Sequence, residues 1–334
     1  MRFNMVTNPE VHVLIIGAGI TDLILAQSLR KAGIRYSIFE KEIALNYRSN
    51  EWTMAIHWAL DRLQALLPEE GYRALNEVSC NPAIPIDAGG RYPVIHGETG
   101  SILAAVLYEK ELRVPRSRMR ALYAEGILVQ YGKKLIDVAF AERGGMMAFF
   151  EDGTIESGTI FIGADGPRST VREFAMKSVK KAARAQTLAE PARSAFTWLP
   201  DDTRANKADI SFWVSQPWDN RDGRITLVRD AAHPMPPYRG QGLNHCICDV
   251  SNLLEGLQNV VDGKSVFSHV ITAYEKEMVP RGREEVTCSV ENGYMLHDWK
   301  KVRESAVFTK GFKPMDGHDS GRHEGTQPGD ATDA

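Results

Sequence analysis

Apolar positions come in short blocks along this chain, and the first blocks set its architecture. Residues 11–16 (VHVLII) are almost continuously apolar and end at a glycine, the pattern of a strand buried on both faces. Residues 20–32 continue with helical spacing and residues 35–40 (RYSIFE) read as a second strand, so the chain opens on a strand-helix-strand unit. Between Trp58 and Leu67 the leucines at 60, 63, 66 and 67 share one helical face, which Pro68 ends.

A helical stretch is expected between Ser101 and Gly126, carrying Arg116, Arg118 and Arg120 at alternate positions and therefore on different faces. The segment ILVQYGKKLIDVAF predicts strands, and MMAFFEDGTIESGTIFIGADG predicts a hairpin turning at Asp152-Gly153 that runs into another buried strand. From Arg172 to about Asn220 the pattern fades into a polar, Ala/Arg/Lys-rich stretch. It resumes as a strand over 223–229, a helix over 243–258 and a second helix over about 265–280. The tail from Lys313 has almost no large apolar residue and is expected to be disordered.

With 334 residues, 43% hydrophobic and 25% charged, the chain is long enough to bury a sizeable core. A formal net charge of -3 leaves no basic footprint for nucleic acid or an anionic membrane surface. The four cysteines, Cys80, Cys246, Cys248 and Cys288, lack zinc-ligand spacing and read as free thiols. No run approaches the length of a membrane span, so a cytoplasmic protein acting on a small molecule is expected.

The candidate chemistry begins at the first turn. Gly17-x-Gly19, between a strand and a helix, offers backbone N–H groups and a positive helix end to an anion. Gly17 permits the tight turn and Gly19 the close approach of a pyrophosphate. Glu40, ending the second strand, stands where an acid accepts ribose hydroxyls. Together these predict a dinucleotide site. Asp22 occupies the third glycine position of that fingerprint, where a side chain adds bulk and an ionised carboxylate competes with phosphate.

Two later segments, GADGPRSTVR (163–172) and RDAAHPMPPYRGQGLNHCICDV (229–250), resemble the second and third signature motifs of the class A FAD-dependent monooxygenases, the para-hydroxybenzoate-hydroxylase-like family. RSNEWTMAIHW, RSRMRAL and PPYRGQGLNH look most like its fungal secondary-metabolism members. The resemblance covers residues 11–175 and 213–300. It implies an α/β fold: a glutathione-reductase-like, Rossmann-type three-layer FAD-binding domain with an abbreviated β-sheet substrate domain.

On that basis residues 1–80, 110–175 and 222–312 would bind FAD, 81–109 and 176–221 would form the substrate domain, and 313–334 the tail. The resemblance assigns FAD contacts to Gly17, Ala18, Gly19, Glu40, Lys41, Thr53, Arg116, Asp165, Asp230, Gly240, Gly242 and Leu243. Asp165 and Gly166 would hold FAD near the path of the reductant, and Asp230 would meet a ribityl hydroxyl. The turn at Gly240–Leu243 would offer N–H groups to the ring edge. Arg118 and Arg120 are left to solvent, and His57 and His233 lie near the flavin by motif position.

The implied activity is NAD(P)H-dependent insertion of one oxygen atom, by hydroxylation or epoxidation, into an aromatic, polyketide or terpenoid metabolite. No catalytic side chain is singled out, because the cofactor carries the chemistry. Three departures weigh against an unmodified enzyme: Asp22; Arg229, where the family has a glycine before its aspartate; and the 65 positions between Asp165 and Asp230, too few for the usual substrate domain. Either the remainder repacks, a second subunit covers it as a homodimer, or the fold is compromised. Asp22 and Arg229 are oppositely charged and flank the same groove, so either they pair across it, filling space FAD would need, or Asp22 caps the first helical turn and faces solvent. The alternatives are a flavin-poor relative performing a non-redox cyclisation or isomerisation, and an inactive truncated paralogue.

Overall fold

The computed structural model describes residues 11–45, 47, 51–95, 102–140, 145–166, 169–172, 210–298 and 301–309. The expected tail and residues 176–209 of the expected substrate domain lie outside them. Among the described residues no helix is long and apolar enough to cross a membrane.

The centre is a five-stranded parallel sheet. Its strands are β1 (His12–Ile16), β2 (Arg35–Glu40), β7 (Val129–Tyr131), β11 (Ile160–Gly163) and β12 (Ile225–Leu227), in the order β12-β11-β1-β2-β7. β1 lies between β2 and β11, with Ile15 opposite both Ile38 and Ile162. Covered on both faces, it is buried from Val13 to Ile16, which explains a continuous apolar run rather than an alternating one.

Helix α1 (Ile20–Lys31) follows the first turn and is buried at every position from Ile20 to Leu29. It packs between α4 (Arg116–Ala124) and α5 (Gly242–Val261). Its buried polar residue Gln27 donates to the carbonyls of Tyr123 and Glu125 at 2.9 Å each, satisfying acceptors that the end of α4 leaves open. Lys31 does the same for α2 (Leu60–Leu66), reaching the carbonyls of Ala65 and Leu67. Pro68 ends α2 as expected and opens α3 (Glu69–Glu77).

The opposite face of the parallel sheet is covered by an antiparallel sheet of β8 (Leu135–Phe140), β9 (Met146–Phe150) and β10 (Ile155–Gly158). Phe150 stacks against Phe39 of β2 with ring centroids 4.8 Å apart. The β9–β10 hairpin turns at Asp152-Gly153, with Gly153 at φ 82°. Helices, parallel sheet and antiparallel sheet form the three expected layers. Two antiparallel pairs complete the described chain: β3 (Thr53–Ile56) with β6 (Leu112–Pro115), and β4 (Gly90–Ile95) with β5 (Ile102–Tyr108).

Two expectations are corrected. The helix expected from Ser101 begins only at Arg116; residues 102–108 and 112–115 are strands, because pairing with 90–95 and 53–56 overrides a composition rich in helix formers. The last long helix does not stop near 280. α6 (Phe267–Leu296) runs through Pro280, whose ring sits on the exposed side while Met278, Arg281, Gly282 and Glu285 hold the other side against the core. Burial of that face outweighs the roughly 3 kcal/mol that an interior proline costs.

Candidate cofactor site

The C-terminal ends of β1, β2, β11 and β12 meet at one edge of the sheet, where open α/β folds bind ligands. The Gly17–Gly19 turn lies at the centre of this edge. Gly17 adopts φ 121°, and an added Cβ would lie 2.7 Å from the Ala164 carbonyl, so no other residue fits there. Its N–H donates to the Phe39 carbonyl at 2.8 Å, which fastens the turn to β2.

The N–H groups of this turn already have acceptors. Glu40 Oε2 receives the Ala18 N–H at 2.9 Å, and Glu40 Oε1 receives the Glu42 N–H at 3.0 Å. Asp22 Oδ2 receives the Gly19 N–H at 2.6 Å. Asp22 is wholly buried, and its second oxygen has no hydrogen-bond partner. Burial raises its carboxyl to about 7, against the pull of Arg229 and the Gly19 N–H and with help from Glu40 and Asp165.

The expected pair across the groove is present. Arg229 Nη1 lies 3.7 Å from Asp22 Oδ2, and Arg229 Nε lies 3.6 Å from Asp230. The guanidinium rests directly on Gly19, where an added Cβ would come within 2.1 Å of Nη1. Arg229 also adopts φ 61°, a left-handed conformation that costs a non-glycine residue roughly 1–2 kcal/mol. Neighbouring groups hold it there: its N–H donates to Asp249 at 3.0 Å, and its carbonyl accepts from Ala232 and His233 at 2.7 Å. The glycine expected at this position would enter the same conformation freely.

The remaining predicted residues divide between two ends of the edge. Asp165 receives the Ser169 hydroxyl and the Thr170 N–H, so it caps the turn after β11, close to Gly17. Arg172 of that segment donates to the carbonyls of Asp230 and Ala231, joining the second motif to the third. At the far end Gly240 (φ 62°) and Gly242 both face open space, and Leu243 follows in the first turn of α5. No side chain caps α5 from Gln241.

This far end is held rigidly. Asn244 Oδ1 receives the His57 N–H at 2.9 Å, and Gln241 receives the Trp58 indole N–H at 2.8 Å. Burial, with Arg113 nearby, lowers the His57 imidazole to about 4, so it is neutral at physiological pH. His233 Nε2 lies 2.6 Å from Asp249 Oδ2. Lys41 is exposed beside Glu40, and Thr53 is exposed at the start of β3, its hydroxyl accepting from Arg113 at 3.4 Å. Arg116 packs over the Trp52 ring at 4.8 Å.

The arginine that does meet the glycine turn is Arg120, which corrects its assignment to solvent. It is 2% exposed; Nε donates to the Ala18 carbonyl at 2.9 Å and Nη1 to the Leu45 carbonyl at 2.5 Å. Glu40 and Glu42 lie 3.9 and 3.6 Å away. Sequence reasoning also passed over Asp249 and Arg281, which pair at 2.8 Å beneath the Arg229 backbone. Burial disfavours the Asp249 charge, yet His233 and Arg281 hold its carboxyl well below the ordinary range. The available signals were an acid among Ile247, Val250 and Leu253 on one helix, and an arginine between Met119 and Tyr123 on another.

These residues fit FAD on one condition. The turn at Gly240 and Gly242 is open, and among the described residues the atoms nearest an added Gly19 Cβ belong to the tip of the flexible Arg229 side chain. Arg229, whose side chain is a quarter exposed, would have to rotate outward for FAD to enter the cradle.

Comparison with known proteins agrees with this geometry. The FAD binding domain family model matches residues 200–289. The FAD-dependent monooxygenase phnB of Penicillium herquei is 49% identical over 401 aligned positions, covering 94% of this chain and 98% of the relative. That alignment is longer than the chain, so phnB carries residues without counterparts here. Among solved structures, Klebsiella pneumoniae HpxO complexed with FAD and uric acid matches with a TM-score of 0.69 at 16% identity, over 92% of this chain and 94% of that one. The Diels-Alderase PyrE3 of pyrroindomycin biosynthesis matches with a TM-score of 0.62 at 18% identity, over 88% and 76% respectively. At such identities these two show the shared fold.

Proposed function

The chain belongs to the class A FAD-dependent monooxygenases, and from that premise we propose that it uses NAD(P)H to insert one oxygen atom into an electron-rich aromatic, polyketide or terpenoid metabolite. The observation that carries the reading is the meeting, at one sheet edge, of the Gly17–Gly19 turn, Glu40, Asp165 and Asp230, continued by the open turn at Gly240–Leu243. Bound FAD supplies the redox and oxygen chemistry.

The chain's own residues bind, orient and exclude water. Gly17 to Gly19 and the start of α1 would receive the pyrophosphate, and Glu40, at the end of β2, would meet the ribose. The N-terminus of α5, at Gly242 and Leu243 and without a side-chain cap, would present N–H groups and a positive helix end to the edge of the bound ring. Pro234, Pro236 and Pro237 stiffen the chain leading into that turn, while Asn244 and Gln241 fix it to the segment of His57 and Trp58. Neutral His57 adds no positive charge.

Residues 81–109, which include the hairpin of β4 and β5, and residues 176–221 are assigned to the abbreviated substrate domain in this reading. The test is substrate-stimulated oxidation of NADH and NADPH by protein loaded with FAD, with the product's mass read for one added oxygen atom. Product at the mass of the substrate, formed without oxygen or NAD(P)H, would establish instead the non-redox reading. Arg229 over Gly19 is the observation that favours that second reading.

A further inference from the structure

Asp22 and Arg229 occupy the places a pyrophosphate needs: one takes the Gly19 N–H and the other covers the Gly19 α-carbon. Two further features show that this is more than a surface pair. Asp22 is wholly buried with one oxygen unpartnered, and Arg229 is held in a left-handed conformation by Asp249 so that its side chain points across the cradle.

We infer that Asp22 and Arg229 form a proton-coupled latch on the cofactor cradle, in which FAD displaces the Arg229 guanidinium from Gly19 and Asp22 takes up one proton from solvent. The inference rests on the FAD reading above. Without FAD the guanidinium lies near Asp22 and favours its carboxylate. On loading, that cation leaves for the entering pyrophosphate and an anion arrives beside Asp22. Both changes disfavour the carboxylate, and among the described residues no other cation acts on Asp22 in place of Arg229. From β2 and the turn after β11, Glu40 and Asp165 face Asp22 with the same sign. Arg120 of α4 is spent on Ala18, Leu45, Glu40 and Glu42, and Cys246 of α5 lies beside Arg229. The protonated carboxyl no longer repels phosphate and gains a hydrogen to donate.

The sign follows from linkage. Binding that raises the affinity of Asp22 for its proton must weaken as the proton becomes scarce. The Asp22 carboxyl titrates at about 7 in the unloaded protein. Below that value it is already neutral and FAD affinity is flat; above it, Kd rises by up to about tenfold per pH unit.

The experiment is titration of the full chain with FAD by flavin fluorescence between about pH 6 and pH 8.5. Calorimetry in two buffers of different ionisation enthalpy counts the protons taken up. The expected results are a Kd at least roughly tenfold weaker at the upper limit and uptake approaching one proton there. Asp22→Asn should bind FAD with a flat profile. Arg229→Gln, which removes the cation from the unloaded state, should move the onset of the dependence to higher pH.

A flat wild-type profile overturns the latch, as does a slope that persists in Asp22→Asn, since Glu40, Asp165 or Cys246 would then carry it. An unmoved onset in Arg229→Gln removes Arg229 from the coupling and overturns the paired form. Failure of all three proteins to bind FAD while retaining the wild-type circular dichroism spectrum is a different result: it refutes the FAD reading itself.

Discussion

Replacing Arg120 with leucine tests whether the cradle stands on a buried ion cluster. The guanidinium is 2% exposed and neutralises Glu40 and Glu42, whose side chains are 11% and 8% exposed, while donating to Ala18 and Leu45. Arg120→Leu keeps most of the volume and takes from two buried carboxylates the guanidinium that lies between them. Breaking a buried pair on one side costs about 3–5 kcal/mol, and two carbonyls lose a donor besides. Against a typical stability of roughly 5–15 kcal/mol this is a large fraction. Urea unfolding followed by circular dichroism should show a stability loss of that size, read as the midpoint shift multiplied by the m value. Arg120→Lys should recover part of it, because the charge remains although one ammonium cannot reach both carbonyls and both acids. A loss below about 1 kcal/mol for the leucine variant, the range of exposed ion pairs, would refute the assignment of Arg120 to the base of the cradle.

Two further outcomes follow from the same physics. Asp249→Asn should cost about 3 kcal/mol, and the gap should narrow as pH falls from about 6 toward 3. Asp249 has a folded carboxyl below its unfolded value, so its contribution is complete above the ordinary carboxylate range and is lost on acidification; a gap constant across that interval would contradict its ionised state. Pro280→Ala should raise the thermal midpoint by restoring one helical N–H and removing the clash with the preceding turn of α6, up to about 3 kcal/mol, and an unchanged midpoint would show that the helix has already relaxed around the ring.

What the sequence revealed was local. The strand-turn-helix around Gly17, the hairpin at Asp152-Gly153 and the apolar face of α5 each depend on residues close in the chain, and each stands where its pattern placed it. Residues 102–115 misled because leucine, alanine, glutamate and arginine favour helix when partners are ignored, and these strands are set by pairing, β5 with the preceding strand β4 and β6 with the distant β3. Arg120 misled for a related reason. A cation on a helix suggests solvent, and only the folded chain brings Glu40, Glu42 and two open carbonyls around it. The Asp22–Arg229 pair was readable in advance because two signature motifs locate both residues at the same groove. Its grip on the Gly19 N–H and α-carbon needed coordinates.

The order of the parallel sheet also governs how the chain is made. A ribosome delivers β1, β2, β7 and β11 within the first 163 residues, so a nascent chain can assemble four of the five strands early. The open flank of β11 and the outer side of α1 then wait for β12, α5 and α6, which emerge only after residue 224. During that interval an unpaired strand edge and an apolar helix face are exposed to other nascent chains. A pause in translation between β11 and β12 prolongs that exposure, and the last third of the chain is needed to close the first.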